Sequence, residues 1–189
     1  EGALLYELPN RFGVANTSAS FAAQSLRLPS GLDFDDAFTV TAWAKPSASA
    51  GSGVLISGGR PSVDDPADAF SLSTGSDGQV RLSLFMADGT EPDLASPLDP
   101  DAWSLVAGRF DGSQMSLLVN DASPLSRSIQ GALSRLDGPF GIGADPVGNG
   151  HLDGALNDLM VWDRALSDAE LALIHFIQID PASNQQFRS

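Results

Sequence analysis

Carboxylates dominate the chemistry this 189-residue chain could perform, because 24 Asp and Glu stand against 10 Lys and Arg, a formal net charge of −14. Only Glu1, Glu7, Glu91 and Glu170 are Glu, and every other acid is Asp. Asp suits tight turns and compact oxygen sites for hard cations, whereas Glu suits helices, so the bias predicts a turn-rich protein in which Ca²⁺ could offset crowded carboxylates. A salt-adapted, solubilising surface explains the same bias. Groups that move protons are scarce: Tyr6 is the only Tyr, and His151 and His175 are the only His. His175 falls among Leu171, Ile174 and Ile177 at helical spacing and reads as a packed or half-exposed helix residue. His151 follows Gly148-Asn149-Gly150 in a loop, where it could touch a ligand. Cys is absent, which removes disulfides, thiolate metal sites and a Cys nucleophile. No Gly-x-Ser-x-Gly elbow lies between a strand and a helix.

The basic side chains are nine Arg and Lys45, too few to screen a phosphate backbone, so nucleic acid is not an expected partner. Hydrophobic residues make up 42% with a mean hydropathy near zero, which predicts a globular chain with a sizeable core despite the charge. No run of 18 apolar residues occurs, and the first residues lack a basic-then-apolar leader, so neither membrane insertion nor an export signal is expected within this stretch. The length suits one all-β domain over residues 1–189, with 181–189 as a frayed end or the start of a linker.

Whatever positions these groups is built mainly from strands. In Phe38–Lys45, Phe38, Val40, Ala42 and Ala44 share one face, and Thr39, Thr41, Trp43 and Lys45 share the other. Further strands are expected at Ser25–Leu28, Val54–Ser57, Phe70–Ser73, Val80–Met86, Ser104–Phe110, Met115–Val119 and Leu156–Asp163. Between them lie turn signals at Ser76-Asp77-Gly78, Asp88-Gly89, Asp111-Gly112 and Asp137-Gly138-Pro139, and the hairpin cue at Phe110–Gln114 is the sharpest. One helix is expected: Ser167-Asp168-Ala169-Glu170 forms a capping box, Leu171, Ile174 and Ile177 follow, and Asp180-Pro181 is the stop. The pattern predicts an all-β fold, two antiparallel sheets packed face to face, with one short C-terminal helix.

Three stretches resemble the laminin-G-like jelly-roll domains of the concanavalin A-like lectin/glucanase superfamily: Phe38–Pro46, Asp101–Gly112 with the partner strand Met115–Asn120, and Leu152–Leu171. The last, with Asn157-Asp158 and Arg164-Ala165-Leu166-Ser167, is the most specific. The resemblance implies an antiparallel two-sheet jelly-roll sandwich and a Ca²⁺ site at Asp153, Asn157 and Asp158. Asn157 stands where the family has an Asp, yet an amide oxygen still ligates Ca²⁺. Polar capping of a strand end is the plainer role for the same three residues.

Glycan hydrolases of this superfamily place carboxylates at alternate strand positions around the scissile bond. Asp33, Asp35 and Asp36 come nearest, but they read as a turn before Phe38, so no catalytic set is expected. Sugar binders offer aromatic platforms. Trp103 and Trp162 fall at framework positions and are expected in the core or under the helix, while Trp43 faces away from Phe38 and Val40, either covered by end segments or part of a concave binding face. Binding should then lean on polar loops that carry Arg60, Asp64, Asp65 and Asp68, then Asp88 and Glu91, then Asn149 and His151. Solubility alone is the plainer role for a charged loop. The expected function is non-catalytic, Ca²⁺-supported binding of a glycan or cell-surface ligand by one module of a larger secreted or surface protein with linked neighbouring domains. The alternative is a structural or protein-interaction spacer.

Overall fold

Alternation of apolar and polar side chains, interrupted by Asp-Gly turns, is expressed as thirteen strands and one helix in the computed structural model, which describes residues 5–8, 18–28, 37–58, 69–134 and 138–177. Asp33, Asp35, Asp36, Arg60, Asp64, Asp65, Asp68 and the tail 181–189 lie outside the described residues. The strands are β1 (Leu5–Leu8), β2 (Ser18–Ala22), β3 (Leu26–Leu28), β4 (Phe38–Pro46), β5 (Gly53–Gly58), β6 (Phe70–Thr74) and β7 (Gln79–Leu84). They continue with β8 (Asp93–Pro97), β9 (Ser104–Phe110), β10 (Gln114–Val119), β11 (Leu125–Ser128), β12 (Phe140–Ile142) and β13 (Asp153–Trp162), and the helix is α1 (Asp168–Ile177).

All strand pairings are antiparallel. Sheet A has the order β1-β2-β13-β4-β9-β10-β11, and sheet B the order β3-β12-β5-β6-β7-β8. This is a jelly-roll sandwich. Period-two alternation sends Phe38, Val40, Ala42 and Ala44 of β4 into the space between the sheets, where they meet Phe70 and Leu72 of β6 and Leu82 and Leu84 of β7. The rings of Phe38 and Phe70 lie 4.7 Å apart, and Phe140 extends the cluster at 5.9 Å from Phe70. Each fully buried Phe contributes about 2–3 kcal/mol of transfer free energy, so this cluster is a main source of stability.

The opposite face of β4 is also dry. Thr39 and Thr41 are fully buried and Trp43 is 8% exposed, because α1 and the segment before it fold over the outside of sheet A. A second apolar cluster of Ala107, Leu118, Leu166 and Leu171, with Trp162 and Ile174 against it, fills that layer. The helix starts as its residues require: Ser167 Oγ accepts from Glu170 N at 3.3 Å, and Glu170 reaches back to Ser167 N at 2.8 Å. Leu166, just before the cap, and Leu171 pack together as a hydrophobic staple around it.

Gly143, at φ +76, follows β12 where an added methyl would overlap the Phe21 ring, so only glycine fits. No helix among the described residues is long and apolar enough to cross a membrane.

Candidate functional site

Strand register sorts the candidate residues by position. At one end of the sandwich, here the first rim, β4 ends at Pro46 beside Gly154 of β13, and β7 begins at Gln79 opposite Pro97 of β8. The turns 47–52, 75–78, 98–103, 120–124 and 143–152 gather there. At the other end, the second rim, lie turns 85–92 and 111–113 and the entry to α1. The nine-residue β4 separates the rims by about 30 Å. Asn149 and His151 are therefore on the first rim, Asp88 and Glu91 on the second, and the two pairs cannot grip one small ligand.

The first rim is locked by short Asp side chains. Asp145 accepts from Val147 N at 2.9 Å, Asn149 N at 2.7 Å and Asn149 Nδ2 at 3.1 Å, while Gly148 takes φ +89. The Asn149 amide thus serves its own loop. Val54 N donates to Gly150 O at 2.8 Å and Ser47 N to Asp153 O at 3.0 Å, which fastens this loop to the β4–β5 loop. Asp101, at φ +56, donates its N–H to Pro46 O at 2.8 Å and accepts from Ala48 N at 3.2 Å. The result is a preformed cavity of about 110 Å³ lined by Ser47, Ala48, Gly51, Gly75, Gln79 and Pro100, among others. Beside it Arg81 pairs with Asp77 and, at 3.6 Å, with Asp93. His151 is exposed on the same rim.

On the second rim Asp88 accepts from Thr90 N at 2.9 Å and Thr90 Oγ1 at 2.7 Å, bonds that hold its carboxyl below the usual range. Asp111 closes the β9–β10 hairpin by accepting from Ser113 N at 2.8 Å and Gln114 N at 2.7 Å. Burial raises its pKa, but those amides outweigh it and leave the group lowered. Asp77, bonded to Arg81, is lowered as well. These carboxylates are turn-building acceptors that stay ionised, the opposite of the raised pKa a general acid uses.

The expected metal residues lie along β13. Asp153 and Asn157 are four residues apart, about 13 Å, farther than two ligands of one Ca²⁺ can stand at 2.3–2.6 Å each. Asn157 and Asp158 do come together, at a bulge where Asn157 pairs with Trp43 and Met160 with Thr41. Asp158 is the extra residue, at φ +49, a conformation Asp and Asn tolerate better than most side chains. Among the described residues no three His, Cys, Asp or Glu cluster as a metal site.

Trp43 leaves the ligand-binding set. Its ring stacks on His175 of α1 at 5.6 Å and 13°, so the helix occupies the face a sugar would need. Trp162 packs under the helix as expected, whereas Trp103 is only half-buried and belongs to neither apolar cluster. Sequence reasoning missed Asp101 and the role of Asp145, although an Asp three residues before a glycine was a legible turn signal. It also missed Arg109, which donates to Leu166 O and pairs with Asp168 at 2.6 Å, pinning α1 to sheet A.

Among solved structures, the botulinum neurotoxin serotype D ligand binding domain in complex with N-acetylneuraminic acid superposes with a TM-score of 0.67 at 14% identity, covering 85% of this chain and 42% of that one. A native heptameric SAP-like pentraxin from Limulus polyphemus matches with a TM-score of 0.62 at 23% identity, over 82% of this chain and 80% of that one. A K499G mutant of NanB sialidase from Streptococcus pneumoniae matches with a TM-score of 0.69 at 14% identity, over 85% and 27%. The chain thus spans less than half of the botulinum binding domains it matches. No curated protein matches its sequence. The laminin-G model described as the concanavalin A-like lectin/glucanases superfamily matches residues 18–172, the full run from β2 into α1, and with it the chain belongs to that superfamily.

Proposed function

We propose that the domain is a non-catalytic, lectin-like binding module of a larger secreted or surface protein, and that it takes its ligand at the first rim. The observation that carries this reading is the preformed cavity between the β4–β5, β6–β7 and β8–β9 turns, held open by Asp101 and the hydrogen bonds around it. Rigid loops with small and neutral polar linings offer hydrogen bonds to sugar hydroxyls at little ordering cost. At about 110 Å³ the cavity is smaller than the 300–1,000 Å³ of sites that enclose a ligand, so it suits the end of a glycan whose remainder stays in solvent. Ca²⁺, if used, would draw on Asn157, Asp158 and main-chain carbonyls near the bulge. The N-acetylneuraminic acid in the botulinum serotype D complex and the sialidase NanB among the structural neighbours favour including sialylated glycans among the first ligands tried.

A glycan array read with Ca²⁺ and again with EDTA tests this. Binding is expected, and Gln79→Ala should weaken it about three- to ten-fold through one lost hydrogen bond. Silence in both arms would end the sugar-binding reading. The covered Trp43 favours a second reading, a structural or protein-docking spacer, because it removes an aromatic platform that the outer face of sheet A could have offered.

A further inference from the structure

Sheet A ends at β11, and all four of its residues, Leu125 to Ser128, are exposed. Among the described residues no strand pairs with its outer edge. An unpaired edge presents a row of N–H and C=O groups ready to accept another strand. Next to that edge, between the β10–β11 turn and α1, runs a groove of about 310 Å³ lined by Leu118, Asp121, Pro124, Asp168, Ala172 and Phe176, among others. The two features are continuous, since Pro124 lines the groove and directly precedes β11. They also share a face. Ser116 and Ser126 join hydroxyls at 2.9 Å across β10 and β11, and alternation puts Ser116 on the same side as Leu118, under the helix. A strand added at β11 would therefore turn every second side chain toward the groove.

Charge selects what that side chain is. Asp121 and Asp168 line the groove, and among the described residues no Lys or Arg does. Arg109, under α1, is engaged with Asp168 at 2.6 Å, and Arg127 of β11 pairs opposite the core residue Met115, so alternation turns it to the face away from the groove. Phe176, 73% exposed, stands edge-on to His175 at 5.6 Å and leaves a ring face open to a cation. A second copy of this chain would bring another −14 of net charge and is repelled. We propose that β11 accepts an extended, basic peptide segment of another protein as an eighth strand of sheet A. One Lys or Arg of that segment lays its stem along Leu118 and Phe176 and sets its cation at Asp121. This surface lies apart from the first-rim cavity and does not depend on it.

The test is fluorescence anisotropy on the full chain with a labelled, end-blocked five-residue peptide: lysine at its centre, valines flanking it, threonines at the ends. A glutamate-centred version and two versions N-methylated on alternate amides serve as comparisons. The lysine peptide should bind, with the glutamate peptide at least about ten-fold weaker. One N-methylated version should lose binding because it cannot pair with β11. Asp121→Asn and Phe176→Ala, both at exposed positions, should each weaken binding about two- to five-fold with thermal unfolding unchanged. No binding up to millimolar peptide overturns the proposal. So does equal binding of lysine and glutamate peptides, equal binding of both N-methylated versions, indifference to the two substitutions, or a glucosamine trimer binding where the peptide does not.

Discussion

Two threonines on one strand isolate what a buried hydroxyl contributes. Thr39 Oγ1 accepts from Leu166 N at 2.8 Å and donates to Arg164 O at 2.8 Å, joining β4 to the segment that leads into α1. Thr41, two residues on and equally buried, has an Oγ1 with no partner. Thr39→Val strands a buried N–H and should cost about 1–3 kcal/mol, whereas Thr41→Val removes an unsatisfied polar atom and should be neutral or stabilising by about 1 kcal/mol. Urea denaturation of both variants reads the difference in sign. Glu170 offers a titration with a clear direction. Arg164, at 2.7 and 3.1 Å, and Ser167 N pull its pKa from 4.5 to about 2. A carboxyl depressed in the folded state supports folding fully above pH 4.5 and loses that support as pH falls toward 2. NMR of the Glu170 carboxyl carbon should place its midpoint near 2, and Arg164→Ala should return it toward 4.5. Such residue-level roles were partly readable beforehand: the capping box was visible as Ser167 and Glu170, but Arg164 joining it required the turn geometry.

Helix α1 owes its place to side chains at both ends, Arg109 gripping its first turn through Asp168 and Trp43 stacking under its last through His175. Removing the second grip with His175→Ala should cost about 0.5–1.5 kcal/mol and shift the emission of Trp43 to the red as water reaches the indole. A variant with unchanged emission would mean the stack does not shield Trp43. Strands were legible in proportion to their alternation. Ser104–Phe110 is found with both ends as expected, and β4, β6 and β10 match within a residue at each end. By contrast β8 (Asp-Leu-Ala-Ser-Pro) and β11 (Leu-Ser-Arg-Ser) carry too few apolar or β-branched residues, and β12 (Phe-Gly-Ile) is too short, for a period to emerge, and pairing with neighbours decides them. The expected run to Met86 stops at Leu84 because the chain turns there, with Met86 N donating to Thr90 O at 2.9 Å. In β13 pairing with β2 from Asp153 opposite Ala22, and with β4 from Gly154 opposite Pro46, carries the strand back past the Leu156 start that alternation alone suggested.

At the scale of the molecule, a net charge of −14 on one sandwich is a self-repulsion that simple salt screens. Calorimetry should find the unfolding temperature rising as NaCl goes from about 10 mM to about 1 M, and a fall would mean that ion pairs such as Arg109 with Asp168 outweigh the repulsion. The candidate site was less legible than the fold, because turns named singly in the chain divide between opposite rims once the strands stand between them. Asp88 and Asn149 look equivalent as loop residues and end about 20–30 Å apart. The position of β13 also governs how the domain is made. It lies between β2 and β4 within sheet A, yet it is the last of the described strands to be made, so a nascent polypeptide holds β2 and β4 without their shared neighbour until residue 162 has left the ribosome. Until then the halves of that sheet have no seam, so the timing of synthesis sets when the sandwich can first close over its core.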